Sequence, residues 1–113
     1  MKKNQVIIKI VDVVQSKNPL TEQDGDTLYD KLNNEINKNN SEVILDFSGV
    51  DSVTTAFINN SISKFIQKDG IDEVSTYLKI SNLKDDFMKN LINISLEFAQ
   101  DKYISSKNKT SNA

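Results

Sequence analysis

Apolar residues fall into stretches whose spacing alternates between extended and helical repeats. Val6, Ile7, Ile8, Ile10, Val11, Val13 and Val14 form a β-branched run. Such a run is apolar on both faces and predicts a first strand over about 5–14, covered on both sides. Ser16-Lys17-Asn18-Pro19 punctuates it. Leu28, Leu32 and Ile36 then recur at helical spacing, predicting a helix to about Lys38. Its start is open: Thr21 with Asp24 favours an early cap, whereas Gly25 and Asp26-Thr27 favour a later beginning.

Asn39-Asn40 ends that helix, and Val43-Ile44-Leu45-Asp46-Phe47 reads as a short strand buried on both faces. After Ser48-Gly49, a helix opens at Thr54 or Thr55, carries Ile58, Ile62, Phe65 and Ile66, and stops near Gly70. Val74, Thr76, Leu78 and Ile80 alternate with polar neighbours, as in an amphipathic strand near a sheet edge. Asn82 with Asp85 caps a long last helix. One face of it carries Leu83, Phe87, Leu91, Ile94 and Phe98, and Met88, Ile92, Leu96 and Ala99 lie beside them. That stripe is wider than one sheet requires, so Met88, Ile92 and Leu96 form a candidate oligomer interface and the chain a candidate homodimer. From Ser105 the sequence turns to Lys, Asn, Ser and Thr. The expected organisation is one α/β domain over 1–104, in the order β-α-β-α-β-α with a largely parallel sheet, and a disordered polar tail over 105–113.

Composition narrows the function more than the averages suggest. The 113 residues contain no Cys, His or Trp, and all 14 basic residues are Lys. A zinc finger, a Ser-His-Asp triad and a Cys-His dyad are therefore excluded. Without the arginine fork, and with a net charge of -2, a nucleic-acid partner is not expected. No apolar run approaches the roughly 18 residues a membrane span needs. Lys9 and Asp12 interrupt the one segment that looks like a signal peptide, so no membrane association and a cytoplasmic location are expected.

Val43 through Asn59, reading VILDFSGVDSVTTAFIN, carries the one specific resemblance. It resembles the STAS-like family of small bacterial domains of unknown function, related to the STAS domains of anti-sigma factor antagonists. In those antagonists an apolar strand leads to an Asp-Ser pair at a helix start, whose Ser is phosphorylated. The corresponding pair here is Thr54-Thr55, with Thr54 in place of the Asp and Phe57 in place of a small residue. The resemblance implies a STAS-like fold over about 5–104. It also implies a non-catalytic regulatory module that docks a bacterial protein partner, such as an ATP-binding kinase or anti-sigma-type protein. The implied surface is Ser48, Gly49, Asp51, Ser52, Thr54, Thr55 and Asn59, with Thr55 as candidate phosphorylation site.

Each of these residues also has a plainer reading. Thr54 and Thr55 suit helix caps worth about 1 kcal/mol, while a phosphate there would meet free amides and the positive end of the helix dipole but be opposed by Asp51. Asp24, Asp26 and Asp30 lack the spacing of a calcium loop, and Asp85-Asp86 and Asp69, Asp72 and Glu73 read as cap and turn carboxylates. Gly25, Gly49 and Gly70 are isolated, so no phosphate-cradling loop forms. No catalytic residue, metal site or cofactor is expected. The alternative from another class is an acidic inhibitor or decoy, encoded by a phage or mobile element, that blocks a nucleic-acid-binding target. Binding that collapses with ionic strength would mark the decoy.

Overall fold

A computed structural model of the chain describes residues 4–111. Its axis is β2 (Glu42–Asp46), which pairs in parallel with β1 (Gln5–Lys9) on one side and β3 (Leu78–Ser81) on the other. The register aligns Val6, Val43 and Leu78 in one row, and Ile8, Leu45 and Ile80 in the next. Both rows point into the core, where Val43 and Leu45 are fully enclosed. Six helices complete the α/β fold: α1 (Ile10–Val14), α2 (Glu22–Asn33), α3 (Thr55–Asn59), α4 (Ile62–Asp69), α5 (Ile71–Val74) and α6 (Asp86–Ser111). A π-helical turn over Asn34–Lys38 extends α2 and seats Ile36 in the core.

Helical side chains cover one face of the sheet, and the other is left largely open. Gln5, Ile7, Lys9 and Lys79 on that second face are exposed, and Glu42, Ile44 and Asp46 are half-buried. The expectation that the first two strands are buried on both faces is therefore corrected; Ile7 stands 67% exposed.

The first strand is also shorter than its β-branched run. It ends at Lys9, opposite Asp46, where β2 itself stops. Beyond that point no neighbour can take the backbone hydrogen bonds, so residues 10–14 satisfy them in a helix that closes at Gln15 with φ 56°. The helix expected from Thr54 or Thr55 to Gly70 is broken at Asn60-Ser61. There the Asn60 amide donates to the Ala56 carbonyl (2.9 Å) and the buried Ser61 hydroxyl to the Phe57 carbonyl (2.8 Å), local bonds that compete with continuous helix. The third strand begins at Leu78 and not at Val74. Val74 N–H closes α5 on the Gly70 carbonyl, and the Ser75 and Thr76 hydroxyls donate to Asp72 and Glu73 carbonyls.

Two corrections concern α6. Its helical backbone continues through Ser111, so 105–111 are helical where a disordered tail was expected; 112 and 113 lie outside the described residues. Its buried side is Met88, Ile92, Ser95 and Ala99, with Met88 3% and Ile92 1% exposed and Leu96 packed half-buried against the core. Met88 and Ile92 belong to the chain's own interior, which removes them as an intermolecular surface, and Leu96 packs against that interior while remaining half-buried. Small Ser95 and Ala99 let α6 approach close to its neighbours, and helix α4 packs along it. The larger Phe87, Ile94 and Phe98 are turned outward.

Candidate functional site

The Ser48–Asn60 segment is built at the carboxyl end of β2, where the chain leaves the sheet for α3. Val50 N–H donates to the Phe47 carbonyl across a tight turn, and Gly49 takes φ 81° at its third position. Glycine adopts that conformation without the steric cost other residues meet. Asp46 holds the turn from behind. Its Oδ1 accepts from Ser48 N (2.8 Å), Ser48 Oγ (2.7 Å) and Asn82 Nδ2 (2.9 Å), which ties the ends of β2 and β3 to one carboxylate. Donation from Asn82, then from Ser48, lowers the Asp46 pKa below its usual 3.8.

Further along, the strand-to-helix connection is anchored to the loop that precedes α2. Asp51 N–H donates to the Lys17 carbonyl (2.8 Å), and Ser52 Oγ donates to Asn18 Oδ1 (2.6 Å). Val50 and Val53 are buried, pinning the backbone between them. Thr54 resolves the question of which threonine caps α3. Its Oγ1 accepts from Phe57 N–H (3.1 Å) and donates to the Leu20 carbonyl, so the hydroxyl is used twice in structure. Thr55, one residue on, is exposed at the first helical position.

The structure thus brings the predicted residues together in one continuous segment but gives them different parts. Ser48 and Thr54 are half-buried and bonded inward, whereas Gly49, Asp51, Ser52, Thr55 and Asn59 are exposed. Sequence reasoning missed Asp46, Asn82 and Asn18, which position the segment. Asn82 is not part of the α6 cap: that is Asp85 alone, whose Oδ1 accepts from Met88 N–H (2.9 Å). A carboxylate at a strand end followed two residues later by Ser is an Asx-turn signal, and it was available in the sequence.

Beside Asp51, Ser52 and Val53 lies a cleft of about 50 Å³, completed by Asp85, Phe87, Met88 and Leu91. Sites that enclose a small molecule run to about 300–1,000 Å³, so this cleft is a surface feature and not a ligand chamber. Among the described residues no cluster of three or more Asp or Glu side chains could hold a metal ion. No described helix is long and apolar enough to cross a membrane.

The comparison with known families fits this geometry. The model of the STAS-like domain of unknown function matches residues 24–88, from within α2 to the first turn of α6. The chain belongs to that family. The match takes in β2, the pinned turn, α3 and β3, so the region that holds the site is the region that defines the STAS-like domain. Neither the curated proteins nor the solved structures gave a match.

Proposed function

We propose that this STAS-like chain is a non-catalytic regulatory module of the bacterial cytoplasm that docks a protein partner through its Ser48–Asn60 surface. The supporting observation is a turn held rigidly from behind, by Asp46, Asn82, Asn18 and Lys17, that leaves Gly49, Asp51, Ser52, Thr55 and Asn59 outward. A backbone fixed before binding loses little entropy on association. The kinship to STAS domains favours an ATP-binding kinase or anti-sigma-type protein as partner, with Thr55 as the residue it would modify.

Capture from bacterial extract, with and without ATP, tests this reading through variants of the exposed positions. Asp51→Lys and Asn59→Lys should abolish retention of a partner that the parent chain holds. Thr55→Glu should weaken it while Thr55→Ala preserves it, since a carboxylate partly imitates the charge of a phosphate. Thr54→Ala is the control: it should lower stability by about 0.5–2 kcal/mol through the lost cap yet leave binding intact once folded. Equal retention by all the surface variants would sink the proposal. Retention that collapses between low and moderate salt would instead favour the acidic decoy.

A further inference from the structure

Along α6, Phe87, Leu91, Ile94 and Phe98 follow the alternating four- and three-residue steps of a coiled-coil seam; Phe87, Ile94 and Phe98 stand outside the core, and Leu91 packs against its edge. Phe87 is 78% exposed, Ile94 51% and Phe98 64%, with Leu91 half-buried between them. From Phe87 to Phe98 the ridge covers about 16 Å of helix axis, at about 1.5 Å per residue. It runs beside the α3 region: Phe87 shares a cleft with Asp51 and Ser52, and Phe98 shares a depression with Asn59, Asn60 and Lys102.

The order of the side chains on the ridge identifies what covers it. Reversed, the series Phe-Leu-Ile-Phe is nearly itself. Two copies of α6 laid antiparallel about a two-fold axis between Leu91 and Ile94 would set each Phe87 on the second copy's Phe98. Each Leu91 would then meet the second copy's Ile94, the alternation that antiparallel helix pairs use. One step outward at either end, Lys84, two residues ahead of the helix and donating its Nζ to the Asp51 carbonyl (3.4 Å), lies toward the second copy's Asp101, which its ammonium reaches by swinging off that carbonyl. Both are exposed and of opposite charge, whereas a parallel pairing would set Lys84 on Lys84 and Asp101 on Asp101. Asp85, the nearest like charge to Asp101 in the antiparallel pair, has an oxygen turned onto the Met88 amide. With about 200 Å² for a bare phenylalanine, the exposures leave roughly 400 Å² of apolar ridge per copy. With its flanks, the pair approaches the roughly 1,000 Å² expected of a specific interface.

We propose that the exposed ridge of α6 is a homodimer seam, occupied by α6 of a second copy in antiparallel register. The inference does not rest on the docking reading, although the seam borders Asp51, Ser52 and Asn59: sedimentation of the chain alone reads the seam, and retention of a partner reads the other surface.

Sedimentation equilibrium of the full chain, over about 1 µM to 1 mM to cover an interface at the small end of the specific range, reads the assembly directly. A concentration-dependent rise from 12.8 kDa toward twice that mass is expected. Phe98→Glu, at an exposed position, should hold the chain at the monomer mass with its helical circular dichroism unchanged. Lys84→Asp and Asp101→Lys should each weaken dimerisation about five-fold or more, and the double reversal should restore it to within about two-fold. Because the chain has no cysteine, a mixture of Leu91→Cys and Ile94→Cys chains can be oxidised without background. From equal amounts of the two, the mixed disulfide should exceed the roughly two-fold excess over each like pair that random pairing of copies gives. A monomer throughout the range would overturn the proposal and leave a helix of another protein as the occupant. A dimer whose charge reversals are not mutually compensating, or that yields mainly Leu91→Cys homodisulfides, would overturn the antiparallel seam.

Discussion

Gly25 lies in the fourth position of α2, where an ordinary helix would gain by replacing glycine with alanine. The gain is about 0.8–1 kcal/mol, because alanine restricts the unfolded chain and glycine does not. Here the added methyl would come within 2.7 Å of the Phe57 carbonyl oxygen and 2.7 Å of Asn60 Cβ, and 3.3 Å from the Asn60 carbonyl carbon. Two of those atoms are backbone, so no flexible side chain can simply swing away. Restoring ordinary contact at about 3.4 Å requires α2 and α3 to separate by some 0.7 Å, which strains the packing around fully buried Leu28, Phe57 and Ile58. Overpacking of that order costs about 1–3 kcal/mol. Set against the propensity gain, Gly25→Ala should destabilise by up to about 2 kcal/mol. Urea unfolding followed by circular dichroism reads the shift as a lower midpoint at unchanged slope. A rise in midpoint equivalent to about 0.5 kcal/mol or more would show that the close approach of α2 to α3 is not real. The same variant displaces α3, so it should also lower partner retention at the Ser48–Asn60 surface.

Two further outcomes follow from the core and from the carboxylate behind the turn. Leu45→Ala, at a wholly buried position on the central strand, should cost about 2–5 kcal/mol in the same unfolding assay, and a loss well under 1 kcal/mol would show the strand is not central. Asp46, with its folded pKa below 3.8, contributes stability that is complete above that value and is lost as the pH falls through the lowered folded pKa. Acid titration of stability should therefore be shallower below pH 3.8 for Asp46→Asn than for the parent, and identical slopes would contradict the Asn82 and Ser48 bonds.

Much of the fold is legible in the periodicities, and the misreadings share a cause. Leu45 as buried strand, Phe47 as a core residue though just past the strand's end, and Leu28, Leu32 and Ile36 on one helical side follow directly from spacing, as does the β-α-β-α-β-α order. What spacing cannot carry is where a neighbour ends. Ile10 to Val14 look like strand until it is known that β2 stops at Asp46 and leaves them nothing to pair with. Gly25 looks like a helix boundary, because a glycine chosen for close approach of α3 and a glycine chosen to end a helix are the same letter. In α6 the size of Phe87 and Phe98 suggests the core, yet close packing selects Ser95 and Ala99 instead. Of the site, the segment itself was readable, and so was the hydroxyl logic of a cap. Which threonine serves depends on the Leu20 carbonyl, a group 34 residues away in sequence, and the Asn18 and Asn82 contacts are equally remote.

A sheet that is covered on one face and ends in β1 also sets a hierarchy of local opening. Glu42 N–H donates to the Asn4 carbonyl, which by strand alternation turns the amides of Val6 and Ile8 toward β2 and those of Gln5, Ile7 and Lys9 outward. In deuterated water the amide protons of β1 should therefore alternate between rapid and slow replacement along five residues. The amides of β2, held between two neighbours, should wait for the whole domain to unfold. Fraying of β1 would expose Val6 and Ile8 for as long as it lasts, so the sheet's edge, and not its centre, sets how often the interior of this chain meets solvent.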